Sequence, residues 1–186
     1  MLLAQVHLVL PVWIAEAVDD RARYPDDDSK VALAIGLARQ NIRHRSGGPF
    51  GAAIFDGAGR LISVGVNRVL PQSCSLAHAE NMAFMLAQLR LQRARLNETG
   101  ESFTLATSAQ PCCQCYGASV WAGIDAMLIG ARSEDVEALT EFDEGPLPAD
   151  WIGELERRGV AVRRDIRREE SCEVLAEYGQ GGGAVY

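Results

Sequence analysis

The chain has 186 residues, 48% of them hydrophobic and 23% charged, and a formal net charge of −7. That length and balance fit one ordinary globular domain with a sizeable core, and no apolar run nears the ~20 residues that a membrane-spanning helix needs. The acidic balance speaks against nucleic acid as a partner, because binding phosphate backbones rests on neutralising them with Lys and Arg.

Residues 1–28 read as an ordered N-terminal extension. Its apolar start, Met1 to Leu10, lacks a basic leading segment and a small-residue cleavage site, and His7 and Pro11 interrupt the run. Asp26-Asp27-Asp28-Ser29 can cap a helix predicted over 30–45, with Val31, Leu33, Ala34, Leu37, Ala38 and Ile42 on its apolar face. Gly47-Gly48-Pro49 ends it. Strands are expected over 52–55 and 61–66, joined as a hairpin by Asp56-Gly57-Ala58-Gly59. A long helix over 76–96 carries His78 and Glu80 in its first turn. A strand over 103–107 precedes a helix over 112–121, which opens directly after Pro111, where a helix tolerates proline best. A strand over 126–131, a helix over 150–158, a strand over 160–164 and a helix over 169–178 complete the pattern. Residues 179–186, with three successive glycines, form a tail. Helix, hairpin, then alternating helices and strands imply an α/β fold: a three-layer α/β/α sandwich on a mixed five-stranded sheet, as a single domain over 1–186.

His78-Ala79-Glu80 and Pro111-Cys112-Cys113-Gln114-Cys115 together read H-x-E…P-C-x-x-C. One imidazole and two thiolates supply three ligands of a tetrahedral Zn2+, and a fourth position left open for water marks a catalytic site. Zinc lowers the pKa of such a water to roughly 7. Glu80, two residues beyond His78, can reach that water without ligating the metal and can carry its proton to a leaving amine. Cys113 doubles the first thiol, yet the C-x-x-C register selects Cys112 and Cys115. A structural zinc would need a fourth protein ligand, and His7, His44, Cys74, Cys113 and Cys172 form no second metal-binding pattern. A redox C-x-x-C would leave His78 and Glu80 without a role. Both metal-bearing segments fall at predicted helix starts, whose positive ends favour thiolate over thiol. Five cysteines, three of them clustered, make no disulfide framework, and two thiolate ligands suit a reducing cytoplasm.

That pattern is the signature of zinc-dependent nucleobase deaminases, and the chain resembles the cytidine-deaminase superfamily well beyond it. Gly47-Gly48-Pro49-Phe50-Gly51-Ala52, Asn67-Arg68-Val69, Ala77-His78-Ala79-Glu80, Ser108-Ala109-Gln110-Pro111-Cys112, Phe142-Asp143-Glu144-Gly145-Pro146 and the Tyr-ending tail are similar to the short bacterial guanine deaminases, relatives of the tRNA adenosine deaminases. The resemblance implies zinc-dependent hydrolysis of a free amino-purine base, guanine to xanthine and ammonia, by a homodimer with one Zn2+ per subunit. Other amino-heterocycles stay open as substrates: an aminotriazine such as ammeline, a pterin, cytosine or a nucleoside. So does a zinc-stabilised binding module without turnover, although such a module has no chemical need of Glu80.

The resemblance also implies roles outside the metal motif. Asn67 hydrogen-bonds the base, its amide offering donor and acceptor; the other reading is a turn-capping Asn. Phe50 packs on the base or in the core, and Ala79 joins the substrate-binding set. Asp143 or Glu144 contacts the amino side of the base and helps to move a proton to departing ammonia, with either of the two pointing inward. Tyr186 is a lid residue over its own or a partner subunit's pocket. Some positions depart from the family pattern: Gln110 stands where a glutamate is usual, Asn81-Met82 where aliphatic residues are usual, and Glu141 where a glycine is common, with an extra residue in that loop.

Overall fold

The computed structural model describes residues 2–186, so Met1 of the expected extension lies outside the described residues. In chain order the first half contains α1 (Ile14–Ala17), α2 (Asp27–Arg43), β1 (Gly51–Asp56), β2 (Leu61–Val66), α3 (Val69–Gln72) and α4 (Ala79–Leu91). The second half contains β3 (Phe103–Ala109), α5 (Cys113–Ala122), β4 (Ala126–Ala131), α6 (Ser133–Leu139), α7 (Trp151–Glu156), β5 (Ala161–Arg163) and α8 (Arg168–Gln180).

The five strands form one mixed sheet in the order β2-β1-β3-β4-β5. The hairpin partners β1 and β2 run antiparallel, as do β1 and β3, whereas β3, β4 and β5 run parallel. Strands alternate their side chains between faces, and here both faces are covered. Ala52, Ile54, Leu105, Met127 and Ile129 pack with Ala83, Phe84 and Ala87 of α4, Ala122 of α5 and Leu155 of α7. Ala53, Phe55, Ala106 and Leu128 pack on the other side with Val31, Ile35 and Leu37 of α2 and Val174 of α8. Burial on both faces is why these strands read as near-continuous apolar runs. The expected three-layer α/β/α sandwich is therefore what the chain forms.

The differences lie at the helix ends. Asp26 is the N-cap of α2, its carboxylate accepting from Ser29 N at 2.7 Å, so that helix starts earlier than 30. The helix expected over 76–96 is shorter: His78 stands as an extended N-cap and Gln92 ends α4 in the left-handed region, with a separate 3-10 turn over Leu96–Thr99. Cys112 is likewise the N-cap of α5, which puts Pro111 before the cap and not inside the first turn. Three short helices, α1, α3 and α6, were not expected, because four to seven residues carry too little periodicity to be read. A Cβ at Gly65 of β2 would overlap the Ala79 carbonyl. Glycine there lets the start of α4 lie directly on the sheet, which seats His78 and Glu80.

Candidate active site

The metal motif comes together where α4 and α5 begin. Each helix supplies its N-cap, His78 and Cys112, and α5 adds Cys115 in its first turn. His78 Nδ1 lies 3.5 Å from Cys112 Sγ and 3.5 Å from Cys115 Sγ, and all three donor atoms lie within 4.8 Å of one another. Zinc–sulfur and zinc–nitrogen bonds of about 2.3 and 2.0 Å at the tetrahedral angle place S and N about 3.5 Å apart. The donor set and its spacing thus fit zinc. Cys113 is exposed, whereas Cys115 is fully buried, so the residue order alone had picked the correct pair. The Cys112 thiol is pushed down to about 4, by hydrogen bonds from Cys115 and His78 that outweigh its burial. A thiolate is the form that a metal ligand must take.

Two buried carboxyls share the cavity beside this triad. Glu80, the second residue of α4, accepts from Cys115 Sγ at 3.4 Å through Oε2. Burial, with the charge on Cys112 added, pushes it up to about 7. Glu144 is pushed up to about 8, again by burial first and then by the charges on Cys112 and Glu80. Asp143 stands at the exposed rim of the same cavity, its Oδ1 accepting from Gly145 N at 2.8 Å. Glu144 is therefore the acid buried in the site. Its carbonyl accepts from Cys113 N at 2.9 Å, which ties the acidic loop to the start of α5.

The cavity itself is small, about 50 Å3, and is lined by Phe50, Asn67, Gln110, Phe142 and Tyr186 besides the groups above. Asn67 is 1% exposed. Its Oδ1 accepts from Val69 N at 3.2 Å at the start of α3, while its Nδ2 has no protein acceptor among the described residues. Asn67 thus caps a turn and lines the cavity with the same side chain. Phe50 also holds both expected places, lining the cavity and packing on the core. Its ring meets Phe142 edge-on at 5.3 Å. Tyr186 reaches its own chain's cavity and tilts against Phe142 at 4.9 Å. The tail leading to it is fastened by Gly183 N to Tyr178 O at 3.0 Å and by Tyr178 Oη to Ala184 O at 2.6 Å.

The Ala79 methyl is fully buried in the core under α4 and does not line the cavity, because the first residue of the helix is turned onto β2. Gln110 was noted only as an unusual residue, yet it is 4% exposed and lines the cavity, its Nε2 donating to Ser133 Oγ at 3.2 Å. Its place between β3 and the Cys112 cap was the available signal.

Residues 25–131 match the family described as the cytidine and deoxycytidylate deaminase zinc-binding region. Among solved structures, that of guanine deaminase from Nitrosomonas europaea is similar with a TM-score of 0.91 and 39% identity, over 97% of this chain and 99% of that one. The structure of an NE0047 mutant in complex with 8-azaguanine gives a TM-score of 0.90 and 40% identity, over 95% of this chain and 98% of that one. Guanine deaminase of Bacillus subtilis is 37% identical over 112 residues, which is 60% of this chain and 67% of its own length. The match extends from α2 through the metal-bearing helices to β4, and on that ground the chain belongs to the cytidine and deoxycytidylate deaminase zinc-binding family.

Proposed function

We propose that this protein hydrolyses free guanine to xanthine and ammonia. The observation that carries the reading is the placement of two buried carboxyls, Glu80 and Glu144, in one cavity with the His78, Cys112 and Cys115 donors. Similarity over nearly the whole chain to guanine deaminase structures, one holding 8-azaguanine, supports a purine base. Tyr186, which lines the cavity at the end of the tail, favours a free base over a nucleoside by occupying the space beside the base.

Zinc, when bound, lowers the pKa of a coordinated water to about 7 and so supplies the nucleophile at neutral pH. Glu80 takes the proton of the attacking water and passes it to a ring nitrogen, a task suited to a group poised near 7. The amine leaves only once it carries an added proton. Glu144, held largely protonated at neutral pH, stands ready to give that proton and to receive the second proton of the water. Asn67 Nδ2 donates to an acceptor on the base edge. Phe50 and Phe142 wall the ring, Asp143 stands at the rim, and Tyr186 closes the site and excludes water. Ala79 takes part only through its main chain, whose N–H has no acceptor within the helix that it starts.

We further infer that the chain acts as one catalytic domain and as a homodimer. Leu76, Met85 and Trp121 line one apolar groove between α4 and α5, and Trp121 is 78% exposed, a patch that a second copy would cover. Among the described residues no helix is long and apolar enough to cross a membrane. The thiol ligands support a reducing cytoplasm as the setting.

The test is ammonia release from the zinc-loaded protein offered guanine, guanosine, cytosine, cytidine, adenine, ammeline and a pterin. Turnover of guanine that disappears in Glu80→Gln is expected. Silence on guanine with turnover of another base would refute guanine and place the change of specificity in the loop around Glu144.

A further inference from the structure

Asn67 is held in place through its main chain. Its N–H donates to Phe50 O at 3.1 Å, and its carbonyl accepts from Asn41 Nδ2 at 2.9 Å. The same Asn41 nitrogen donates to Gly48 O at 2.9 Å, so both loops flanking this side of the cavity hang on one amide. A Cβ at Gly47 would overlap the Asn67 carbonyl and come within 2.8 Å of Asn41 Nδ2, which is why the loop passes here as glycine. Asn41 is fully buried in α2. Its Oδ1 accepts from Ser46 Oγ at 2.7 Å, and Ser46 Oγ accepts from Trp13 Nε1 at 2.9 Å.

An indole N–H only donates and a carbonyl only accepts. The single Ser46 hydroxyl hydrogen has Asn41 Oδ1 at 2.7 Å and the Asn41 main-chain carbonyl at 3.2 Å in range; directed to the nearer Oδ1, it leaves one orientation of the Asn41 amide that satisfies the bonds from Trp13 to Asn67. The chain of hydrogen bonds is therefore directional, from Trp13 to Asn67. Trp13 is fixed by stacking on His44, with ring centroids 5.3 Å apart and planes 10° from parallel. Arg68, the neighbour of Asn67, adds a second tie: its guanidinium donates to the Ser46 carbonyl and, at 3.3 Å, to Val9 O. None of Trp13, Asn41 and Ser46 lines the cavity, and Trp13 precedes the residues matched by the family.

We propose that Trp13, Ser46 and Asn41 are positioning residues for base recognition: the N-terminal segment sets where the Asn67 amide stands. This rests on the reading of Asn67 as a base-binding residue.

The test uses the full-length, zinc-loaded protein. Trp13→Phe keeps the ring on His44 and removes the donor, Ser46→Ala breaks the middle link, and Ser46→Thr keeps the hydroxyl. Trp13→Phe and Ser46→Ala are each expected to raise KM for guanine about fivefold, the worth of one net hydrogen bond, with kcat nearly unchanged. Ser46→Thr is expected to retain the wild-type KM. The double variant should be no worse than Ser46→Ala alone, since both cut one chain. Hydrogen exchange of the Gly47, Gly48, Asn67 and Arg68 amides should quicken in Trp13→Phe. A lower melting temperature with KM unchanged would show a packing role only and overturn the proposal, as would unchanged exchange at those amides. If wild-type protein is inert toward guanine, the substrate reading fails, and the exchange measurement decides the relay by itself.

Discussion

Tyr186 packs at 4.9 Å and 59° against Phe142, two residues before Glu144, so the tail and the acidic loop form one wall of the cavity. A Cβ at Gly48 would collide with the Tyr186 hydroxyl and stand 3.5 Å from Asn67 Cγ. The tail thus also reaches the loop opposite. Burial raises the Tyr186 phenol, which keeps it a neutral hydrogen-bonding group.

Tyr186→Ala should open this wall. The variant removes a side chain that lines the cavity, so KM for guanine is expected to rise several-fold, while loss of an aromatic pair worth about 1 kcal/mol lowers the melting temperature by only about 2–4 °C. Steady-state kinetics set beside a thermal melt check this. A large drop in melting temperature would mean that the tail supports the fold and not the pocket.

Glu80→Gln should bind zinc and lose turnover. Acid–base catalysis by one positioned side chain is worth about 10²–10⁴-fold, so kcat is expected to fall by that much with metal content unchanged. Metal analysis and ammonia release on the same sample decide it. Retention of most activity would remove Glu80 from the mechanism.

In zinc-stripped protein, Glu144 carries a raised pKa: about 8 folded against an ordinary 4.5. Between those two pH values the unfolded chain has released this proton and the folded chain still holds it, so stability falls as pH rises through the window. Glu80, also raised, adds to this fall, and Cys112, held low, opposes it, so the readout is the difference between two proteins: relative to wild type, Glu144→Gln should gain melting temperature as pH rises across the window. An equal slope in both proteins would show that Glu144 is not the group responsible.

Chelation should abolish activity before it abolishes structure. The two main core clusters are apolar and lie on the two faces of the sheet, so the fold does not hang on the metal as a zinc finger does. Circular dichroism and activity followed against chelator concentration separate the two losses, and their coincidence would argue for a structural metal.

Trp121→Glu should dissociate the proposed homodimer. A charge placed in the groove of α4 and α5 costs several kcal/mol if buried unpaired. Sedimentation at micromolar concentration is expected to show a dimer for the wild type and a monomer for the variant. A monomeric wild type would refute the assembly.

Sequence by itself determined the layer order, the five strands and the metal donors. Near-continuous apolar runs bounded by turn residues report strands buried on both faces, and His78, Cys112 and Cys115 carry a spacing that little else requires. It also singled out Glu80, Asn67 and the acidic loop. Tertiary structure decided what depends on long-range packing: that Glu144 and not Asp143 is the buried acid, that the Ala79 methyl goes to the core, and that Gln110 joins the cavity wall. It also decided that Tyr186 lines the cavity of its own chain, and that Trp13 reaches Asn67 through Ser46 and Asn41. These relations join residues far apart along the chain, and no local period or propensity encodes which of two neighbouring side chains will turn inward once the layers close.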